Sequence, residues 1–226
     1  MEARYRTDYA GEFVILESKW SAGKKDEIRE WIPNPIENHH LSGRAACIGS
    51  DIDHPTVGDG RTFDYTRLQK HRGGLLGSKK LQTYGTRKIA QQMRLDFAVE
   101  TQVDNLNKIL ETGYQRDNIV YTTARNCINY PGEFYLIPYK PRMIDLALTV
   151  YLAAFDGHQE IFLLGYSDQT DINALNWTSH IAQIFLAYPG VKFYLIGENT
   201  HMPDEWLNCF NVKSMNYREF INYCDV

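Results

Sequence analysis

Three loops of this chain carry residue types suited to chemistry on a phosphate ester. The first is Gly49-Ser50-Asp51-Ile52-Asp53-His54, which follows the apolar run 44–48. Gly49 would let backbone approach a phosphate closely. Asp51-x-Asp53 has the form of a paired-carboxylate site whose hard oxygen ligands hold Mg²⁺ or Mn²⁺ against a diphosphate. The competing reading is a strand-end turn in which the same aspartates cap backbone N–H groups. The second loop carries Arg142, stiffened by Pro138 and Pro141 and followed by an apolar segment. A guanidinium there could clasp a phosphate bidentately, or stand on the surface at a helix start. The third is Tyr166-Ser167-Asp168, with Asp171 behind it. A carboxylate in that loop could act as general base or hold a sugar hydroxyl; the alternative is a helix N-cap formed by Asp171 or Thr170. Two histidines complete the set. His201, in Gly197-Glu198-Asn199-Thr200-His201, follows an apolar run and is the better placed base. His180 has Ile181 and Ile184 near it and reads as a packed side chain. His39, His40 and His54 show no recognisable metal spacing.

These loops need a scaffold, and the hydrophobic pattern supplies one. Residues 143–155 are apolar almost all round, which predicts a buried helix. A Gly-His turn follows, then the four-residue apolar run Ile161-Phe162-Leu163-Leu164 and Gly165. That order predicts a helix, a central buried strand, and a loop at the strand's carboxyl end, where open α/β sheets bind ligands. From 85 onward the alternation is regular. Helices are predicted over 86–93, 103–110, 178–188 and 217–223, with Gly113 as a cap of the second. Strands are predicted over 96–100, 118–122, 134–137 and 191–196. Upstream, 13–16 and 44–48 read as strands, 21–30 as one or two turns of exposed helix, 31–40 as irregular, and 63–70 as a short helix. The whole predicts one α/β domain over 1–226, irregular over 1–85 and regular over 86–226. Its sheet should be mostly parallel with helices on both faces.

Composition narrows the function classes. The chain has 226 residues, 43% of them hydrophobic, and a net charge of −4. This does not favour bulk nucleic-acid binding, which calls for a basic face. A local exception is 61–94, with nine Lys and Arg against the single acid Asp64. It reads as a solvated face or as a groove for phosphates or another anionic partner. Cys47, Cys127, Cys209 and Cys224 are widely spaced and suggest buried free thiols and a reducing, cytoplasmic compartment. No apolar run approaches a membrane span, and the first residues lack a signal-peptide pattern. Neither GxGxxG, GxxxxGK[ST] nor GxSxG is present, which argues against a dinucleotide oxidoreductase, a P-loop ATPase and an α/β-hydrolase.

The segment YKPRMIDLALTVYLAAFDGHQEIFLLGYSD resembles the helix-strand-loop of the small bacterial lipo-oligosaccharide sialyltransferases. Flagellin-glycosylation proteins and hydroxymethylpterin-pyrophosphokinase-like proteins share it. Gly157, Glu160, Ile161, Leu163, Gly165 and Asp168 carry the resemblance, and Arg142 falls where those sialyltransferases place an arginine before the helix. Residues 63–68, FDYTRL, look like a segment that follows their first strand. The likeness covers the last 100 residues or so, and it implies a Rossmann-like fold and a nucleotide-sugar donor. The chain also departs from the family. Ile48-Gly49-Ser50-Asp51 stands where the family has Gly-Asn-Gly-Pro-Ser. Ile144-Asp145-Leu146 replaces a Thr-Ser-Gly helix start, and 169–177 replaces a long insert bearing the catalytic histidine. That histidine and the sialic acid donor are therefore not carried over.

The leading expectation is a glycosyltransferase that moves a sugar from a nucleotide-sugar donor to a hydroxyl. Arg142 would meet the leaving phosphate, and Asp168 or His201 would take the proton. Gly49, Ser50, Asp51 and Tyr166 would hold the nucleotide, with Asp51 and Asp53 on Mg or Mn. The acceptor would be a glycan, a protein, or a modified nucleobase served by 61–94. The alternatives are a pyrophosphokinase-like transferase, and a non-catalytic nucleotide-binding or protein-interaction module of the same fold.

Overall fold

The computed structural model describes residues 9–21, 24–35, 43–49, 63–68, 81–139, 142–166, 177–198 and 202–226. The chain divides into two compact units, Met1–His39 with Glu100–Arg142, and His40–Val99 with Met143–Val226.

Two antiparallel strands, β1 (Tyr9–Ser21) and β2 (Lys24–Pro35), form a separate ribbon with a register shift between Ile15 and Glu17. The segment expected as exposed helix, 21–30, is thus mostly strand, and the strand continues to Pro35 through the stretch expected to be irregular. The charged run KKDEIRE resembles a solvated helix locally, but its backbone pairs with a second strand, Lys24 with Ser21 at one end and Glu30 with Val14 at the other. Proline is tolerated because each strand of a two-stranded ribbon keeps one unpaired edge.

The remaining strands are β3 (Arg44–Ile48), β4 (Gln82–Thr86), β5 (Phe97–Val99), β6 (Ile119–Thr122), β7 (Tyr135–Leu136), β8 (Glu160–Leu164), β9 (Lys192–Ile196) and β10 (Val212–Met215). They belong to one eight-stranded sheet in the order β10-β9-β8-β3-β4-β5-β6-β7. Every recorded pairing in it is parallel. Between them lie α1 (Arg87–Ala90), α2 (Val103–Thr112), α3 (Tyr114–Asp117), α4 (Ala124–Asn129), α5 (Asp145–Phe155), α6 (Trp177–Ala187) and α7 (Tyr217–Cys224), with 3-10 turns at Tyr65–Leu68 and Asp204–Trp206. This is the α/β fold that the alternation of strands and helices predicts.

The second unit shows why its sequence folds this way. Strand β8 lies between β3 and β9, and Ile161 to Leu164 are completely buried. Cys47 stands beside Leu163 in register and Ala46 beside Phe162, so the two pairs face opposite sides of the sheet. On the first side α5 covers Cys47, whose Sγ lies 3.6 Å from Thr149 O. Helix α6 packs against α5 and sends Phe185 onto Phe193, with ring centroids 4.5 Å apart. On the second side Phe162 stacks on Tyr194 at 5.0 Å and meets Phe220 of α7 at 5.2 Å. Phe63 and Tyr65 join there, and the Tyr65 and Tyr217 hydroxyls share a hydrogen bond of 2.9 Å. Helices therefore cover both faces. The uniform apolarity of α5 follows from its place: every residue from Leu146 to Phe155 is buried. A capping box starts α7, with Asn216 accepting from Glu219 N and Glu219 accepting from Asn216 N.

Candidate functional site

In chain order the sheet grows from β3 outward through β4 and β5, and β8 then starts on the other side of β3. The order reverses between β3 and β8. Loops leaving two such strands diverge to opposite faces, and the crevice between them is where doubly wound sheets hold ligands. Gly49 ends β3 and Gly165 ends β8, and the two glycines touch. Gly49 N donates to Leu164 O at 2.7 Å. A Cβ built on Gly49 would lie 2.3 Å from Gly165 O and 2.9 Å from its carbonyl carbon. Gly165 has φ +71°, and Gly157, in the turn that leads into β8, has φ +90°. Both are left-handed conformations that glycine adopts at little cost.

These contacts place two of the residues read as ligand contacts, Gly49 and Tyr166, at the carboxyl ends of adjacent strands. They also supply each with a role in the fold. Gly49 is small because another strand's backbone abuts it. Tyr166 is fully buried, and its hydroxyl bonds Thr149 Oγ1 at 2.8 Å and donates to Leu146 O at 3.2 Å. Burial raises its pKa well above the usual tyrosine value. Its ring meets Trp177, at the start of α6, at 6.1 Å. Tyr166 is a strut between β8 and α5, and its phenol stands in the core rather than on an open wall. Arg142 is exposed just ahead of α5, and it groups with the first compact unit. His180 lies within α6, part-buried, and its Nδ1 has no hydrogen-bond partner among the described residues. Ser50, Asp51, Asp53, His54, Ser167, Asp168, Asp171 and His201 lie outside the described residues. Among the described residues no group of three His, Cys, Asp or Glu side chains is arranged to hold a metal ion.

Two polar clusters that the sequence did not flag hold the second unit together. In the core, Tyr84 Oη donates to Asp156 Oδ2 at 2.6 Å and lies 3.0 Å from His158 Nε2. All three are at most 2% exposed. The Tyr84 proton goes to the carboxylate, so Nε2 of His158 must carry the proton it gives to the Tyr84 oxygen. At the amino end of the sheet, Arg44 Nε donates to Glu160 Oε2 at 2.8 Å, and Tyr223 Oη donates to Glu160 Oε1 at 2.7 Å. The Arg44 guanidinium stands 4.6 Å over the Tyr223 ring. This ties β3 and β8 to the last turn of α7.

Burial alone would raise the Glu160 pKa. The hydrogen bonds from Tyr223 and Arg44, with the charges of Arg44 and Lys192, outweigh it and hold the carboxyl below its ordinary value. A depressed folded-state pKa contributes stability above the unfolded carboxylate pKa, and that contribution is lost as pH falls through the folded value. Glu160→Gln should therefore lower stability at pH 7 by on the order of 1 kcal/mol, because the cluster is only part-buried. It should also flatten the loss of stability below the ordinary glutamate range. Urea unfolding at pH 7 and at pH 3.5 checks this: equal losses in the variant at both values would remove the ion pair as the cause.

Comparison with protein-family models, with curated proteins and with solved structures returns no match. No helix among the described residues is long and apolar enough to cross a membrane.

Proposed function

We propose that this protein binds a nucleotide-sugar donor at the switch point between β3 and β8 and transfers the sugar to a hydroxyl acceptor. The observation that supports the reading is topological. A doubly wound parallel sheet reverses its order at two strands whose carboxyl ends meet through Gly49 and Gly165, and ligands of such sheets bind there. The resemblance of 139–168 to sialyltransferase-type proteins adds the class of donor. In this proposal Arg142 stabilises the leaving phosphate and Asp168 or His201 takes the acceptor proton. Mg or Mn on Asp51 and Asp53 would neutralise the diphosphate. The acceptor is a glycan, a protein or a modified nucleobase. For the last, the exposed Arg67 and Lys88 belong to the basic stretch 61–94. A cytoplasmic site of action fits four cysteines that are all buried and free.

A second reading, a non-catalytic protein-interaction module of the same fold, is favoured by one specific observation. Gly49 and Tyr166 are both committed to the fold, Gly49 against Gly165 and Tyr166 inside the core. Thermal unfolding with CMP-, UDP- and GDP-sugars and with ATP tests both. A donor at about 100 times its Kd stabilises by about 2.7 kcal/mol, which raises Tm by roughly 5–10 °C for a chain of this size. A shift from one nucleotide sugar, with release of the nucleotide on adding acceptors, is the expected result. A shift without release leaves nucleotide binding without turnover, and a shift with ATP alone points to the pyrophosphokinase-like reading. No shift with any of them would overturn the proposal and leave the interaction module.

A further inference from the structure

We propose that a second copy of this chain docks along the outer edge of β10, with a two-fold axis through Ser214. Among the described residues, Phe210, Leu186 and Leu207 are the most exposed large hydrophobic side chains, at 77%, 67% and 65%. All three belong to the second compact unit, and each is the chain neighbour of an anchored residue. Phe185 lies against Trp206, with ring centroids 5.1 Å apart. Trp206 is fully buried, and its Nε1 donates to Thr178 O at 2.9 Å. Asn211 Nδ2 donates to Phe185 O at 3.0 Å and to Tyr188 O and Val191 O at 3.1 Å each. Phe185 thus meets both other anchors, and the exposed residues beside the three share one region near the end of α6. Apolar side chains displayed on a fixed backbone are what protein interfaces use as anchors.

Asn211 also leads into β10, the last strand of the sheet on that side among the described residues. Phe193 N donates to Asn211 O at 2.8 Å, and Gly197 N donates to Met215 O at 3.1 Å. Alternate residues of a parallel strand turn both backbone groups to one neighbour. Asn211, Lys213 and Met215 therefore face β9, and Val212, Ser214 and Asn216 turn theirs outward. Val212 N donates to Cys209 O at 3.4 Å, and Asn216 N donates to Glu219 Oε2 at 3.0 Å. That leaves Ser214 as the outward residue able to offer both its N–H and its C=O to an incoming strand. A second copy matches this edge with the same edge. Turned about a two-fold axis through Ser214, its β10 runs antiparallel, and the two Ser214 residues exchange both hydrogen bonds. The same rotation brings in two apolar regions, one from each copy, whereas a polar foreign strand would leave the single region to water. Such a contact uses the same edge on both copies and so closes at two.

Sedimentation velocity over about 1 to 100 µM protein, with thermal unfolding of each variant, tests the proposal. At the upper end the parent should sediment with twice the 26.2 kDa of one chain. Phe210→Ser should weaken association by roughly ten-fold or more at an unchanged Tm, because the side chain it removes is exposed. Ser214→Pro should do the same, since it removes an outward N–H and edge strands tolerate proline there. Val103→Ser, at an exposed apolar position of the first unit, should change nothing. Ser214→Cys locates the axis. The Cα atoms of a hydrogen-bonded antiparallel pair lie about 5.5 Å apart, within disulfide reach, and the four native thiols are buried. Mild oxidation should therefore link two chains through position 214. No nucleotide or turnover enters these measurements, so their outcome is independent of the transferase reading. If Ser214→Pro lowers Tm, Phe210→Ser and Ser214→Cys decide by themselves. A parent that stays monomeric throughout overturns the proposal and leaves the edge to another partner. So does association that Phe210→Ser leaves intact or Val103→Ser weakens equally, or a Ser214→Cys protein that forms no linked dimer.

Discussion

Gly49→Ala should cost about 2–4 kcal/mol or prevent folding, although it adds a single methyl group. The new carbon would lie 2.3 Å from Gly165 O, 2.9 Å from Gly165 C and 3.3 Å from Leu164 O. All three are backbone atoms and cannot rotate away. The strands must part or twist, and Gly49 N would lose its 2.7 Å bond to Leu164 O. The disturbance falls between two central strands whose last residues, Ile48 and Leu164, are at most 1% exposed. Gly43→Ala is the matched control: its Cβ would meet nothing within 4 Å, so it should stay within about 0.5 kcal/mol of the parent. Guanidinium unfolding of both variants measures the difference. A Gly49→Ala protein as stable as Gly43→Ala would mean that the switch point is looser than the contact implies. The same contact also says what this glycine is for. It lets β8 approach β3, and ligand-facing loops can begin only beyond that contact.

The second large effect is expected in the core. Asp156→Ala should destabilise by about 2–4 kcal/mol, because the Tyr84 hydroxyl would lose its acceptor in a fully buried position. Tyr84→Phe should cost less, about 1–2 kcal/mol, since it removes the hydroxyl while its ring still packs on Phe97 at 4.6 Å. The two losses should not add. Once the hydroxyl is gone, part of the reason for the carboxylate is gone as well, so a double-mutant cycle should show coupling of about 1 kcal/mol or more. Additivity within a few tenths would separate the two side chains energetically and dissolve the network. Asp156→Asn keeps an acceptor for the Tyr84 proton and should fall between the parent and the alanine variant. The position of the network explains its size. It joins β4 to the turn between α5 and β8, two segments that bracket β3, and the amide of Gln82 lies fully buried in the same strand as Tyr84.

How much of this was legible beforehand depends on where each signal resides. Helix α5 and strand β8 were legible because burial on all sides writes itself into a continuous apolar run. Strand β4 was not. Its residues, Gln82-Thr83-Tyr84-Gly85-Thr86, are mostly polar, yet all but Thr86 are buried. Their polar groups are met from distant positions, Thr83 by Asp96 and Tyr84 by Asp156. Helix α4 and strand β10 are short and lack a strong period, so local pattern could not reveal them. The ribbon of β1 and β2 failed in the other direction: a charged run looked helical, and only pairing with a second strand makes it extended.

The candidate site divides in the same way. Sequence order alone determined that the loops after residues 48 and 164 follow apolar strands, and that a glycine begins each of them. Only the tertiary structure decided that these two strands are neighbours, because parallel pairing joins segments more than a hundred residues apart. It also decided the purpose of the residues. Gly49 answers to a backbone approach and Tyr166 to a buried hydroxyl pair with Thr149, and neither could be told locally from a phosphate contact or an aromatic wall. The physical reason is common to both: a side chain's role is set by what faces it, and what faces it is contributed by other parts of the chain.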